Sequence, residues 1–209
     1  MSKLPRCTPG TNFNDANNIK RQLQEDGHQT WGFVIYRCTY GSDDDWNKFI
    51  ELLQHRIRRS LEFYDGLDMT DSLSLTIIED RLTFDDTSTS SVREHFRQWA
   101  ATAPNAEQVE GIGPGQSQRY RYCIQVDDGA LESVMEDEND RYVNLIQKDW
   151  ELHTADAREL AEDPIKDCTL HDIGWMFVDY RYVMVGMYDM LRGLNDWHLE
   201  YRRPPKVAR

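Results

Sequence analysis

A seven-residue string occurs twice in this chain. Trp31-Gly-Phe-Val-Ile-Tyr-Arg37 returns as Trp175-Met-Phe-Val-Asp-Tyr-Arg181, with Trp, Phe, Val, Tyr and Arg shared. All but the arginine are types that suit a pleated, half-buried surface. Each copy therefore reads as a strand, and each leads into a helical pattern. In the first copy apolar groups fall on both faces, Trp31, Phe33 and Ile35 on one and Val34, Tyr36 and Cys38 on the other. Such a strand needs cover on both sides. The repeat suggests a domain of two similar strand–helix halves.

The pattern between the copies alternates. Ser42-Asp-Asp-Asp45 can cap a helix and complement its positive end. Trp46, Phe49, Ile50, Leu53, Ile57, Leu61 and Tyr64 then follow at helical spacing. Residues 73–78 alternate as a second strand. A second helix is expected on the stripe Val92, Phe96, Trp99, Ala100 and Ala103. Further strands are expected at 119–126, 142–146 and 173–181. Residues 129–135 read as one or two helical turns, and a short helix fits 155–161. A last helical stripe runs from Val183 to Leu194 through Met187, Met190 and Leu191. The strands are not continuous Val/Ile runs, and no glycine-rich turn joins a strand to a helix. The expected class is therefore α+β. A mostly antiparallel sheet would carry its helices on one face, ferredoxin-like, with duplication an option.

With 209 residues, one domain is expected at 30–205. Residues 1–29 read as a polar arm with a short helix near 19–24, and 206–209 as a tail. No run of 18 apolar residues exists, and the first residues lack the apolar stretch of a secretory signal. The four cysteines, Cys7, Cys38, Cys123 and Cys168, are far apart. They read as free thiols in a reducing compartment, which points to the cytoplasm. A net charge of −13 repels nucleic acid and anionic membranes. The basic run His55-Arg-Ile-Arg-Arg59 reads as a solvated helix face.

Arg37 and Arg181 are the odd members of the repeat. An arginine on a Trp/Phe face needs a partner, and Glu79 stands at the matching end of the Leu73/Leu75/Ile77 face. The pair is either structural or a clamp for an anionic ligand group. Tyr36, Tyr40, Tyr120, Tyr122, Tyr180 and Tyr182 fall on strand faces. They would line an aromatic cavity if one sheet face were open. Among the six histidines, His171 beside Asp172 is the expected general base by position. Cys168-x-x-His171 is half a zinc pattern without a second half, so no metal is expected. The Gly-x-Ser-x-Gly, Gly-Lys-Ser/Thr and His-Glu-x-x-His signatures are missing from the sequence. Gly111-Ile-Gly-Pro-Gly115 follows loop residues and reads as a connection. Asp137-Glu-Asn-Asp140 lacks the glycine and terminal glutamate of a calcium loop. Met184, Met187 and Met190 lie on or beside one helical face, as core or as a docking surface.

Trp31 to Tyr40, Asp172-Ile-Gly-Trp-Met176 and the segment from Trp197 to Arg203-Pro-Pro205 together resemble a group of small uncharacterised proteins of filamentous fungi. The resemblance covers 30–205. It implies a fungal source and an intracellular protein, and it carries over no activity and no site residue.

The residues point to a protein that binds a small organic ligand, with no cofactor. A cofactor-independent cyclase or isomerase of secondary metabolism is one form. Arg37 and Arg181 would hold an anionic group, Tyr36 and Tyr122 would orient the ligand, and Glu79 or His171 would move a proton. The alternative is a protein–protein interaction module without catalysis, docking through the open sheet face or the methionine-bearing helix. Neither nucleic acid nor membrane is an expected partner, and a homodimer is compatible with both readings.

Overall fold

In a computed structural model, the structure describes residues 14–136, 141–151, 162–165 and 168–209. The expected strand near 142 is β4 (Tyr142–Gln147), and the second repeat lies in β5 (Trp175–Asp179). The first repeat supplies β1 (Val34–Arg37), and β2 (Ile77–Ile78), β3 (Tyr122–Val126) and β6 (Val207–Ala208) complete one sheet. Its order is β2-β1-β3-β4-β5-β6. β1 runs parallel to β2 and β3, and β5 parallel to β6, while β4 is antiparallel to both neighbours. The chain is thus an α/β protein with one mixed, mostly parallel sheet and, among the described residues, seven α-helices. The mostly antiparallel, ferredoxin-like arrangement expected from sequence gives way to this one.

The helices lie on both faces, not one. α1 (Asp15–Asp26), α2 (Asp43–Phe63), α5 (Asp128–Met135) and the π-helical turn Val183–Met187 share one core with Phe33, Ile35, Tyr122, Ile124, Leu145, Met176 and Val178. α4 (Thr89–Glu107), with the short α3 (Arg81–Phe84) before it, packs on the other face, against Val34, Tyr36, Cys123, Ile146 and Trp175. Every residue of β1 and of β3 is buried. The two-sided burial was readable in the first repeat. The parallel pairing was not, because Tyr, Cys, Trp and Gln do the work that Val and Ile usually do in such strands.

α2 forms where its pattern places it. The Ser42 side chain accepts from the Asp45 N–H at 3.1 Å, three aspartates occupy the first turn, and Trp46, Phe49, Leu53, Ile57 and Leu61 are buried. Asp65 (φ 55°) and the Gly66 N–H, 2.7 Å from the Leu61 carbonyl, close it. A side chain on Gly66 would stand 2.4 Å from the Ala16 methyl, so this glycine lets α1 close onto the core. The stretch read as a polar arm therefore contains a packed helix, capped by Asn14 and burying Ala16 and Ile19. Residues 1–13 lie outside the described residues, as do 137–140 and the helix expected at 155–161.

Two segments depart from the expected strands for one reason. Of 73–78, only Ile77–Ile78 forms a regular strand, with Leu73 in an isolated bridge to Trp31, and 118–120 is a 3₁₀ turn (Gln118–Tyr120). The Arg119 guanidinium, fully buried, lies between them. It donates to the carbonyls of Gly32 (2.8 Å) and Ser74 (3.2 Å), to Thr76 Oγ1 (2.6 Å), and in bidentate fashion to Glu107 (2.6 and 2.7 Å). The 3₁₀ turn shifts the phase, so Tyr120 faces α4 while Tyr122 faces α2.

Both repeat copies are strands of one sheet and run in the same direction. Their faces differ: Trp31 and Phe33 point to the α2 side, Trp175 and Phe177 to the α4 side. Gly32, at φ 105°, stands where the second copy has Met176. The shared string reflects a common demand for β-favouring residues more directly than two equivalent halves.

Candidate functional site

In a sheet of this kind, ligands bind outside the carboxyl ends of the strands where successive crossovers pass to opposite faces. Here that point lies between β1 and β3, since α2 follows β1 on one face and α4 leads into β3 on the other. Arg37 ends β1 there. Its Nε donates to the Thr39 carbonyl at 2.9 Å, and its NH2 group donates to Asp43 of α2 at 2.5 Å. The guanidinium also sits over the rings of Tyr40 (4.4 Å) and Trp46 (5.0 Å). Thr39 Oγ1 donates to Asp128 at the start of α5. Glu79 accepts from Trp46 Nε1 at 2.8 Å. The expected Arg37–Glu79 pair is thus an Arg37–Asp43 pair, because α2 brings its first-turn carboxylate closer.

The remaining expected site residues do not converge on it. Tyr36 lies under α4, its hydroxyl 2.9 Å from His95 Nδ1, and burial pushes its ionisation well up. Tyr122 lies on the opposite face, stacked on Trp197 at 5.6 Å, with burial holding its phenol at about 12. Arg181 clamps Asp179 of its own strand end (2.9 and 2.5 Å). Tyr120 and Tyr180 are also buried, so the expected tyrosine-lined cavity against an open sheet face is not formed. Of the surfaces named in the alternative reading, both sheet faces carry helices, and Met184 and Met187 are buried while Met190 is half-buried.

His171 lies at a different place, in a cleft of about 620 Å³ beside β5. The floor is Trp175 and Phe177, which β5 turns towards the α4 side, with Ile165 beside them. The walls are Tyr201 and the cis-linked Pro204-Pro205. His171 Nδ1 stands 3.0 Å from Glu162 Oε1, and its ring meets Tyr201 edge-on at 5.6 Å. The hydrogen bond from His171 holds the Glu162 carboxyl below the usual range. The exposed Arg202 and Lys206 stand on the rim with Asp163.

A buried arginine holds the cleft's two rims together. Arg203 donates to the carbonyls of Asp163 (2.7 Å), Cys168 (3.1 Å) and His171 (3.2 Å), and also to that of Leu170. Tyr201 adds a bond from its hydroxyl to the His171 carbonyl at 2.8 Å and accepts from the Ile173 N–H at 3.2 Å. Sequence reading named His171 and missed Glu162, Phe177, Tyr201 and Lys206. The charges in the stretch around Arg202 were the one signal available. Among the described residues, no group of three His, Cys, Asp or Glu is arranged to hold a metal, and no helix is long and apolar enough to cross a membrane.

No family model matches this chain, and no curated protein or solved structure proved similar to it.

Proposed function

We propose that the protein binds a small, flat organic acid in the cleft beside β5 and moves a proton on it without a cofactor. The observation that carries this reading is the histidine–carboxylate pair set at the mouth of an aromatic-floored cleft. A mostly apolar pocket with a few convergent polar groups is the usual form of a small-molecule site. Glu162 favours the tautomer with the proton on Nδ1, which puts the lone pair on Nε2. That nitrogen would be the one to act as general base. Trp175 and Phe177 would receive a ring, and Lys206 and Arg202 would face its anionic group. His171 would take a proton from an activated carbon and return it at another position, giving isomerisation. Attack of the carbanion within the same molecule would give cyclisation.

Of the residue set expected from sequence, this reading uses His171. Arg37, Arg181, Glu79, Tyr36 and Tyr122 are engaged elsewhere in the fold.

A thermal-shift screen against aromatic carboxylic acids tests the binding step. A ligand at one hundred times its dissociation constant stabilises by about 2.7 kcal/mol, a readable shift. Phe177→Ala and Lys206→Glu should each abolish the shift, while His171→Asn should keep it and lose turnover. Shifts that persist in both Phe177→Ala and Lys206→Glu would place the ligand elsewhere and end this reading.

A further inference from the structure

The two edges of the sheet are built differently. At one edge, β6 is two residues long, follows Pro204-Pro205, and is flanked by Lys206 and Arg209. Short length, proline and cations are the devices by which proteins keep an edge from pairing. The other edge, β2 with the residues leading into it, is equally short as a strand but carries neither proline nor cation. Ser72-Leu-Ser-Leu-Thr-Ile-Ile78 carries no charge and no proline, in a chain with 29% charged residues. All seven residues are half-buried. The ladder uses the Ser74 N–H and the Thr76 carbonyl towards β1, at 2.9 Å each. Alternation therefore turns the backbone groups of Leu75 and Ile77 outward. Beside this edge runs a groove of about 550 Å³ between α2 and the strand, lined by Ile57, Leu61, Leu73 and Leu75. Glu51 and Arg58 lie along its helical side.

We propose that this edge joins two copies of the chain, pairing antiparallel across a two-fold axis near Leu75. The charge pattern on α2 selects a second copy over an unrelated strand. Trp46 Nε1 bonds Glu79 at 2.8 Å, which fixes the helix against the strand. Four strand residues, from Glu79 back to Leu75, span about 13 Å, and about nine helical residues cover the same length. The position over Leu75 is therefore close to His55. Glu51 and Arg58 lie on either side of that point at nearly equal distance. An antiparallel two-fold brings Glu51 against Arg58 of the partner subunit, twice. The spacing permits it: α2 crosses from β1 to β2, and two strand spacings are about 9–10 Å, the distance at which helices pack. Arg58 has a partner on its own helix, Glu62 at 3.3 Å, but that pair is exposed and holds it weakly. Leu75 would exchange both backbone hydrogen bonds with its symmetry mate, as residues at the centre of an isologous interface do.

Sedimentation of the full chain over a dilution series tests this. The wild type should show a monomer–dimer equilibrium. Glu51→Arg and Arg58→Glu should each raise the dissociation constant by about tenfold or more, and the double swap should restore it, because opposite charges face again. Leu75→Lys, which adds the missing edge charge, should give monomer at every concentration. Circular dichroism confirms that each variant is folded, and the two exposed charge swaps keep the test open if Leu75→Lys is not. A wild-type chain that stays monomeric throughout overturns the proposal and leaves the edge to another occupant, such as an extended peptide. A dimer indifferent to the charge swaps overturns it equally.

Discussion

The guanidinium of Arg37 is held from three directions: a carbonyl two residues on, a helix carboxylate, and two aromatic rings. Its side chain is 7% exposed, yet its partner Asp43 is 81% exposed. Removing the arginine therefore leaves Asp43 in water and not as a stranded buried charge. Arg37→Ala should destabilise by about 1–3 kcal/mol through the lost hydrogen bonds and ring contacts. That is less than the roughly 3–5 kcal/mol of a broken buried pair. Denaturant titration measures it, and ligand binding in the β5 cleft should be unchanged. A loss of binding without loss of stability would return Arg37 to the role of a clamp. At this scale the sequence announced that Arg37 must be compensated, because it shares a face with Trp31 and Phe33. It could not name Asp43, since that choice depends on how α2 leaves the strand. Arg119 gave no comparable sign: it lies next to a strand, where an exposed arginine would look the same.

α2 was legible because each signal agreed: cap, first-turn charge and a stripe of apolar residues. α1 was legible only in part, as a short helix near 19–24, because it buries polar residues. Asn18 and Gln22 face inward and donate to Asp189, each at 2.7 Å. Polar inward positions leave no periodic apolar stripe to read. Asp189 itself is raised from 3.8 to about 6, chiefly by burial. An acid with a raised folded pKa is bound to its proton more tightly in the native state. Its favourable contribution is full below the unfolded value and lost as pH rises through about 6. This group should thus make the protein more stable near pH 4 than near pH 7, by about 1–3 kcal/mol given that water reaches its rim. Asp189→Asn should remove that slope. Melting temperatures of both proteins across this range measure it, and identical profiles would refute the assignment. β2 failed for the opposite reason to α1. Its residues alternate well, but the Arg119 guanidinium takes the Ser74 carbonyl that a longer ladder would need.

On the scale of the whole molecule, the sheet divides the interior into two cores, and the thiols report on their integrity. Cys38 and Cys123 are buried in the α4 core, the first with its thiol pushed up to about 12 by burial and the second raised well above the ordinary thiol value for the same reason. Cys168 is half-exposed. In a Cys7→Ser background, a neutral thiol reagent should modify one thiol quickly and two only at the rate of unfolding. Rapid modification of all three would mean that the α4 layer opens on its own. The fold class was half-legible here: strands alternating with helices, and a first strand buried on both sides, were in the pattern. The direction of pairing was not, because it is decided by which edge each crossover reaches. The cleft was still less legible, since its residues come from β5 and from two loops that meet only in space.

Arg203 gives that cleft a place in time as well as in space. The carbonyls of Asp163, Cys168, Leu170 and His171 have one shared donor, more than thirty residues further along the chain. During synthesis, the segment bearing His171 is made before the group that organises it exists. A nascent chain that stops short of residues 201–206 has β1 to β5 in hand, yet its histidine loop lacks an anchor and its cleft lacks a wall. Ligand binding should therefore be acquired only once residues 201–206 have joined the fold.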